Sequence, residues 1–170
     1  MAAIRAPQAR CRFAIAEADI TPPAGIYHRM WGAATHDRAE GVHRPLRASV
    51  AIIAPLTASP GASIAGPLPP PGTAILASLD HCLVGAVELD MLLDPIVAAT
   101  GLPRDAVTIL FTHTHGAGLM TLDRQTLPGG ELIPAYLRDV GQRLAELVAR
   151  ALAELQPAAI VFGQGRCDLA

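Results

Sequence analysis

Lysine is absent from this chain of 170 residues, and all 13 of its basic residues are arginines. That excludes a Schiff-base lysine, the lysine of a phosphate loop and a serine–lysine dyad. Serine is scarce as well: Ser49, Ser59, Ser63 and Ser78 are the only ones, and none stands in a G-x-S-x-G elbow. Serine-hydrolase chemistry built on that turn is therefore excluded. Cysteine is limited to 3 residues, Cys11, Cys82 and Cys167. An odd number at wide spacing fits neither a zinc knuckle nor a disulfide framework. Cys82, inside an apolar run, reads as a buried inert thiol. No apolar stretch approaches the ~20 residues of a membrane-spanning helix. Arg5, Arg10 and Arg12 break up the N-terminal region where the apolar core of a signal peptide would lie. The expectation is a soluble chain that stays where it is made, in the cytoplasm. The formal net charge is only −2 and the arginines are dispersed, which argues against nucleic acid or an anionic membrane as the main partner.

What is present is enough chain for one domain with a core of its own. Residues 12–16 predict a short first strand, closed by Thr21-Pro22-Pro23 because proline cannot donate to a ladder. Residues 24–41 show neither helical nor strand period. With Tyr27, His28, Trp31 and His36 they read either as a site-lining loop or as a loop packed down by its aromatic residues. Residues 46–53 alternate and predict a strand with one buried face. Residues 55–73 are a Pro/Gly-rich insert, expected to be a mobile connector without chemistry. Residues 74–79 are apolar with little alternation, the pattern of a central strand covered on both faces, and they end at Asp80-His81.

Helical spacing follows over residues 87–100, where Pro95 either kinks the helix or opens its second half with Asp94 as the cap. Gly101-Leu102-Pro103 stops it, and residues 106–112 predict the next strand. A long amphipathic helix opens at Pro134, with Leu137, Val140, Leu144, Leu147, Val148, Ala151 and Leu155 as its stripe. Gln156-Pro157 ends it, and residues 159–163 predict a last strand. The order gives an α/β fold, a mixed sheet with packed helices and some parallel pairing. Because the chain stops at Ala170 soon after a strand and a turn, residues 1–170 are expected to be the N-terminal part of a larger catalytic domain.

The chemistry points to Thr112-His113-Thr114-His115-Gly116-Ala117-Gly118. In an extended chain His113 and His115 face one side, roughly 6–7 Å apart along the strand. Two imidazoles so placed can face one ion, or one can bind while the other handles a proton. The glycines behind them keep the mouth of the strand open to a ligand. Asp80, at the end of a core strand, either orients a ligating histidine from outside or caps its own turn. His28, His36 and His43 are candidates to line the entrance, and Asp19 is expected to bond its own turn before Pro22. Metal-assisted hydrolysis is the reaction type such a site supports. The alternatives are an amidohydrolase barrel, in which H-x-H closes an early strand, and a non-catalytic α/β module whose histidines are merely packed or bind metal weakly.

Several passages then occur in one order. They are Ala18-Asp19-Ile20-Thr21-Pro22, the run from Gly32 through Arg38 to Gly41-Val42-His43-Arg44-Pro45-Leu46-Arg47-Ala48, the strand ending in Asp80, and Thr112-His113-Thr114-His115. This ordered set resembles the N-terminal, catalytic part of the neutral/alkaline non-lysosomal ceramidase family, over nearly the whole chain outside the proline-rich insert. The resemblance implies a zinc-dependent amidase that hydrolyses ceramide to sphingosine and a fatty acid, with a lipid amide as substrate and Zn2+ as cofactor. By the same match His113 would be the metal ligand and His115 the catalytic residue beside the reacting carbonyl. The family's other ligands, a histidine, a glutamate and a tyrosine, are expected beyond Ala170, so the segment alone is expected to be inactive. Two departures stand out: the family commonly continues His-Thr-His with Ser-Gly-Pro where this chain has Gly116-Ala117-Gly118, and many relatives are secreted.

Overall fold

Alternating apolar residues build a single sheet from β1 (Gln8–Asp19), β2 (Arg47–Pro55), β3 (Ala74–Leu79), β4 (Val107–Phe111) and β5 (Gln156–Val161). The computed structural model describes residues 8–30, 32, 34–56 and 69–168. The strand order is β4-β3-β2-β1-β5. β1 is antiparallel to both β2 and β5, and β2 is antiparallel to β3. β3 and β4 are parallel, joined through the crossover helix α1 (Ala86–Thr100). A second helix, α2 (Ile133–Ala153), packs on α1 and on β1 and β2. The expected mixed α/β sheet with packed helices is thus the observed fold.

The core is one-sided. Ala14, Ala16, Val50, Ile52, Ile75, Ala77 and Leu79 are buried together with Leu92, Ile96, Leu137, Leu144 and Val148 of the helices. On the reverse face Ile15, Ala51 and Leu76 are cross-strand neighbours, and Ile15 is 54% exposed and Leu76 38%. This corrects the expectation that residues 74–79 are covered on both faces. Both helices pack on one side, so the weak alternation of β3 reflects apolar residues on its open face.

Two strands also run further than their apolar pattern. β1 is flanked on both sides, so its peptide groups find ladder partners as far as Gln8 and Asp19, and Arg10 and Glu17 are carried into the strand. β5 begins at Gln156-Pro157, where a helix stop alone was expected; as an edge strand it tolerates proline.

Helix α1 is continuous through Pro95 and is not restarted there. Proline removes the amide that would bond the carbonyl four residues earlier, that of Met91. Gly141 of α2 sits over this point: a Cβ there would lie 2.4 Å from the Met91 oxygen and 3.2 Å from Pro95 Cγ. The helix crossing is therefore as close as it is because α2 carries no side chain at that position. Asp94 is not a cap; with Asp90 it pairs with Arg104. Gly101, at φ 65°, ends the helix as expected, its N–H bonding the Val97 carbonyl at 2.8 Å. Trp31 and residues 57–68, which make up most of the proline-rich insert, lie outside the described residues. Among the described residues no helix is long and apolar enough to cross a membrane.

Candidate metal centre

The parallel pair β3 and β4 ends side by side at Leu79 and Phe111. The carboxyl ends of parallel strands are where α/β folds form ligand sites, because the chains diverge there into loops. Pairing continues briefly past the strands, with Thr112 N bonding Leu79 O and His113 N bonding His81 O, each at 3.0 Å. The chain then turns. His113 has φ +60°, a left-handed conformation that non-glycine residues seldom adopt. The expectation of an extended His-Thr-His is corrected here: the strand stops at Phe111, and a turn brings the rings of His113 and His115 together, centroids 5.2 Å apart. The turn follows from the last backbone bond to β3's extension, after which His113 leaves the sheet.

A third group joins them. Cys82 Sγ lies 3.7 Å from both ring nitrogens of His113. One donor atom each from Cys82, His113 and His115 falls within 4.8 Å of the others, with the cysteine buried and both histidines exposed. The reading of Cys82 as a buried thiol holds for its burial, but its company was missed. The signal was available, since Cys82 follows Asp80-His81 at the end of a strand whose parallel neighbour leads into His113. Thiolate and imidazole donors suit a borderline-soft ion such as zinc, whereas magnesium and calcium favour oxygen ligands. The residues present therefore fit zinc.

Asp80 accepts the Arg47 N–H at 2.9 Å on one carboxylate oxygen and the Thr112 hydroxyl at 3.1 Å on the other. It thus fastens the start of β2 to the residue just before His113. His81 is buried, and its Nε2 lies 2.6 Å from the Tyr136 hydroxyl, which itself donates to the Ile20 carbonyl at 2.6 Å. The hydroxyl proton being committed to Ile20, Nε2 must be the protonated nitrogen. Nδ1 is then an acceptor, buried and without a hydrogen-bond partner among the described residues. Burial lowers the His81 pKa to about 4, against the opposing pull of Asp80, and burial likewise raises that of Tyr136. Near neutral pH this is an uncharged strut tying the end of β3 to α2 and to the end of β1.

A mostly apolar cavity of about 260 Å³ opens beside the motif, and Thr114 and Gly116, the two neighbours of His115, stand in its wall. His28 and His43 line it too, while His36 lies against His28 with ring centroids 5.8 Å apart. Burial, then the neighbouring His36, lowers the pKa of His28. Asp19 bonds its own turn as expected, accepting from Thr21 N at 2.7 Å. Gly116 and Gly118 both border the cavity, and Gly118 also serves packing: a Cβ there would meet the Tyr27 carbonyl oxygen at 2.5 Å. Buried Glu88, which the sequence did not single out, accepts from Leu122 N at 2.6 Å and pins the following loop to α1.

No protein-family model matches the sequence, and no curated protein matches it. Solved structures do. The neutral ceramidase from Pseudomonas aeruginosa matches with a TM-score of 0.61 over 91% of this chain at 21% identity. A ceramidase complexed with C2 matches with a TM-score of 0.60 over 89% at 23% identity. The chain has the fold of one stretch of neutral ceramidase. It spans 23% and 22% of the lengths of these two ceramidases. The ceramidase-like fold agrees with the order of motifs from which the resemblance was drawn.

Proposed function

We propose that this chain carries part of the active site of a zinc-dependent amide hydrolase of ceramidase type, with an N-acyl lipid amide such as ceramide as substrate. The observation that supports it best is the pairing of His113 and His115, rings 5.2 Å apart, next to an apolar cavity walled by Thr114 and Gly116. The likeness in fold to neutral ceramidase is the second support.

In this reading His113 holds the ion. When bound, zinc supplies a Lewis acid that polarises the amide carbonyl. His115 stands beside that carbonyl, donating an N–H to the oxygen as charge develops or passing a proton to the leaving amine. Asp80 acts at a distance as a positioning residue, holding Thr112 and through it the turn at His113. The cavity takes apolar chain of the substrate and keeps water from it. Residues 1–170 are then the N-terminal part of the catalytic domain, and further ligands come from polypeptide beyond them. A barrel of the amidohydrolase type finds no support, because the described sheet is open, with β4 and β5 at its edges.

The test pairs metal content with turnover of a short-chain N-acylsphingosine by the longest natural form of the protein. His113→Ala is expected to lose the metal and all activity. His115→Ala is expected to keep the metal and lose roughly 100-fold or more in turnover. Undiminished zinc content in His113→Ala, or full turnover in His115→Ala, would remove the reading in favour of a non-catalytic module.

A further inference from the structure

We infer that Cys82, as its thiolate, is a ligand of the ion that His113 holds, so that the centre contains sulfur and selects a thiophilic metal. This rests on the metal reading of His113 and adds a residue that the ordered motifs do not include.

The argument is geometric. A tetrahedral zinc site with Zn–S ~2.3 Å and Zn–N ~2.0–2.1 Å keeps its sulfur and nitrogen about 3.6 Å apart. Cys82 Sγ stands 3.7 Å from each ring nitrogen of His113. The sulfur stands at the separation expected of two ligands on one ion; its equal distance from both nitrogens means that the exposed imidazole must turn for one of them to face that ion. The nitrogen of His115 also falls within the 4.8 Å cluster.

The two elements bring fixed backbones to this meeting. His113 N bonds His81 O, so the residue preceding Cys82 is tied to the residue facing it. The His81 ring is in turn anchored by Tyr136. Cys82 is 4% exposed, so its sulfur meets the site from the protein side while the histidines meet it from solvent. A thiolate in the donor set favours zinc, cobalt or copper(I) over magnesium and calcium.

The test is a titration with Co2+, a spectroscopic substitute for zinc, on the longest natural form of the protein with Cys11→Ser and Cys167→Ser, so that Cys82 is the only thiol left among residues 1–170. Expected is a near-ultraviolet thiolate-to-cobalt charge-transfer band, undisturbed by excess Mg2+ or Ca2+. Cys82→Ser and Cys82→Ala should both abolish it. They should also weaken binding by at least the roughly tenfold that loss of even an outer partner costs. Circular dichroism of both variants confirms that the fold persists. Visible cobalt bands with no charge-transfer band, at an affinity that Cys82→Ala leaves unchanged, would overturn the role of Cys82 and leave His113 as a ligand. No cobalt binding at all would overturn both readings together.

Discussion

His113 is the residue at which conformation and chemistry meet. A left-handed backbone costs a residue with a Cβ about 1–2 kcal/mol, and glycine avoids that cost. His113→Gly is therefore expected to be more stable than His113→Ala by about that amount in urea unfolding. Equal midpoints for the two variants would mean that the turn relaxes when the imidazole is gone. His81 supplies a second test at this scale. Its pKa is about 4 in the folded chain against 6.5 when unfolded. Below 6.5 the unfolded chain takes up the proton first, so stability is complete above that pH and declines as the pH falls toward 4. The loss amounts to about 3 kcal/mol at most. His81→Gln keeps a donor for Tyr136 and cannot titrate, so its stability is expected to stay flatter across the same window. An unchanged slope in the variant would place the titration elsewhere.

Among the elements, the contact between α1 and α2 depends on an absence. Pro95 deprives the Met91 carbonyl of its helical donor, and Gly141 brings α2 down over that oxygen. Gly141→Ala forces a methyl group against backbone at 2.4 Å, so the helices must separate. A cost of about 1–3 kcal/mol is expected. Gly163→Ala, with nothing among the described residues within 4 Å of the added carbon, serves as the control and should change stability little. Comparable losses for both would show that helix packing adapts at no cost. Helical spacing around Pro95 was legible in the sequence. The survival of the helix was not, because it depends on which surface of α2 meets it.

Across the whole molecule, a sheet covered on one face has two kinds of leucine that a sequence reader cannot separate. Leu79 is fully buried and Leu76 faces outward at 38% exposure, although the two lie on one strand. Leu79→Ala is expected to cost about 2–5 kcal/mol, and Leu76→Ala less than about 1 kcal/mol. Denaturant midpoints of the two variants decide this, and equal losses would mean that the open face is covered in solution.

The sequence by itself determined the class of fold, most of the element order and the stretch that carries the candidate chemistry. Periodicity and breakers are local properties: Leu137 to Ala151 describe a helix face, and Gly101 a helix end, without reference to anything distant. His113 and His115 were legible for the same reason, as adjacent members of one motif. Tertiary structure decided what depends on neighbours far along the chain. It set the length of β1 through two flanking strands, and left β3 covered on one face by placing both helices on the same side. It also brought Cys82 beside His113. Those residues are separated by a whole crossover helix, and only the parallel pairing of β3 with β4 closes that distance, because hydrogen bonding between strands fixes register without regard to the chain in between.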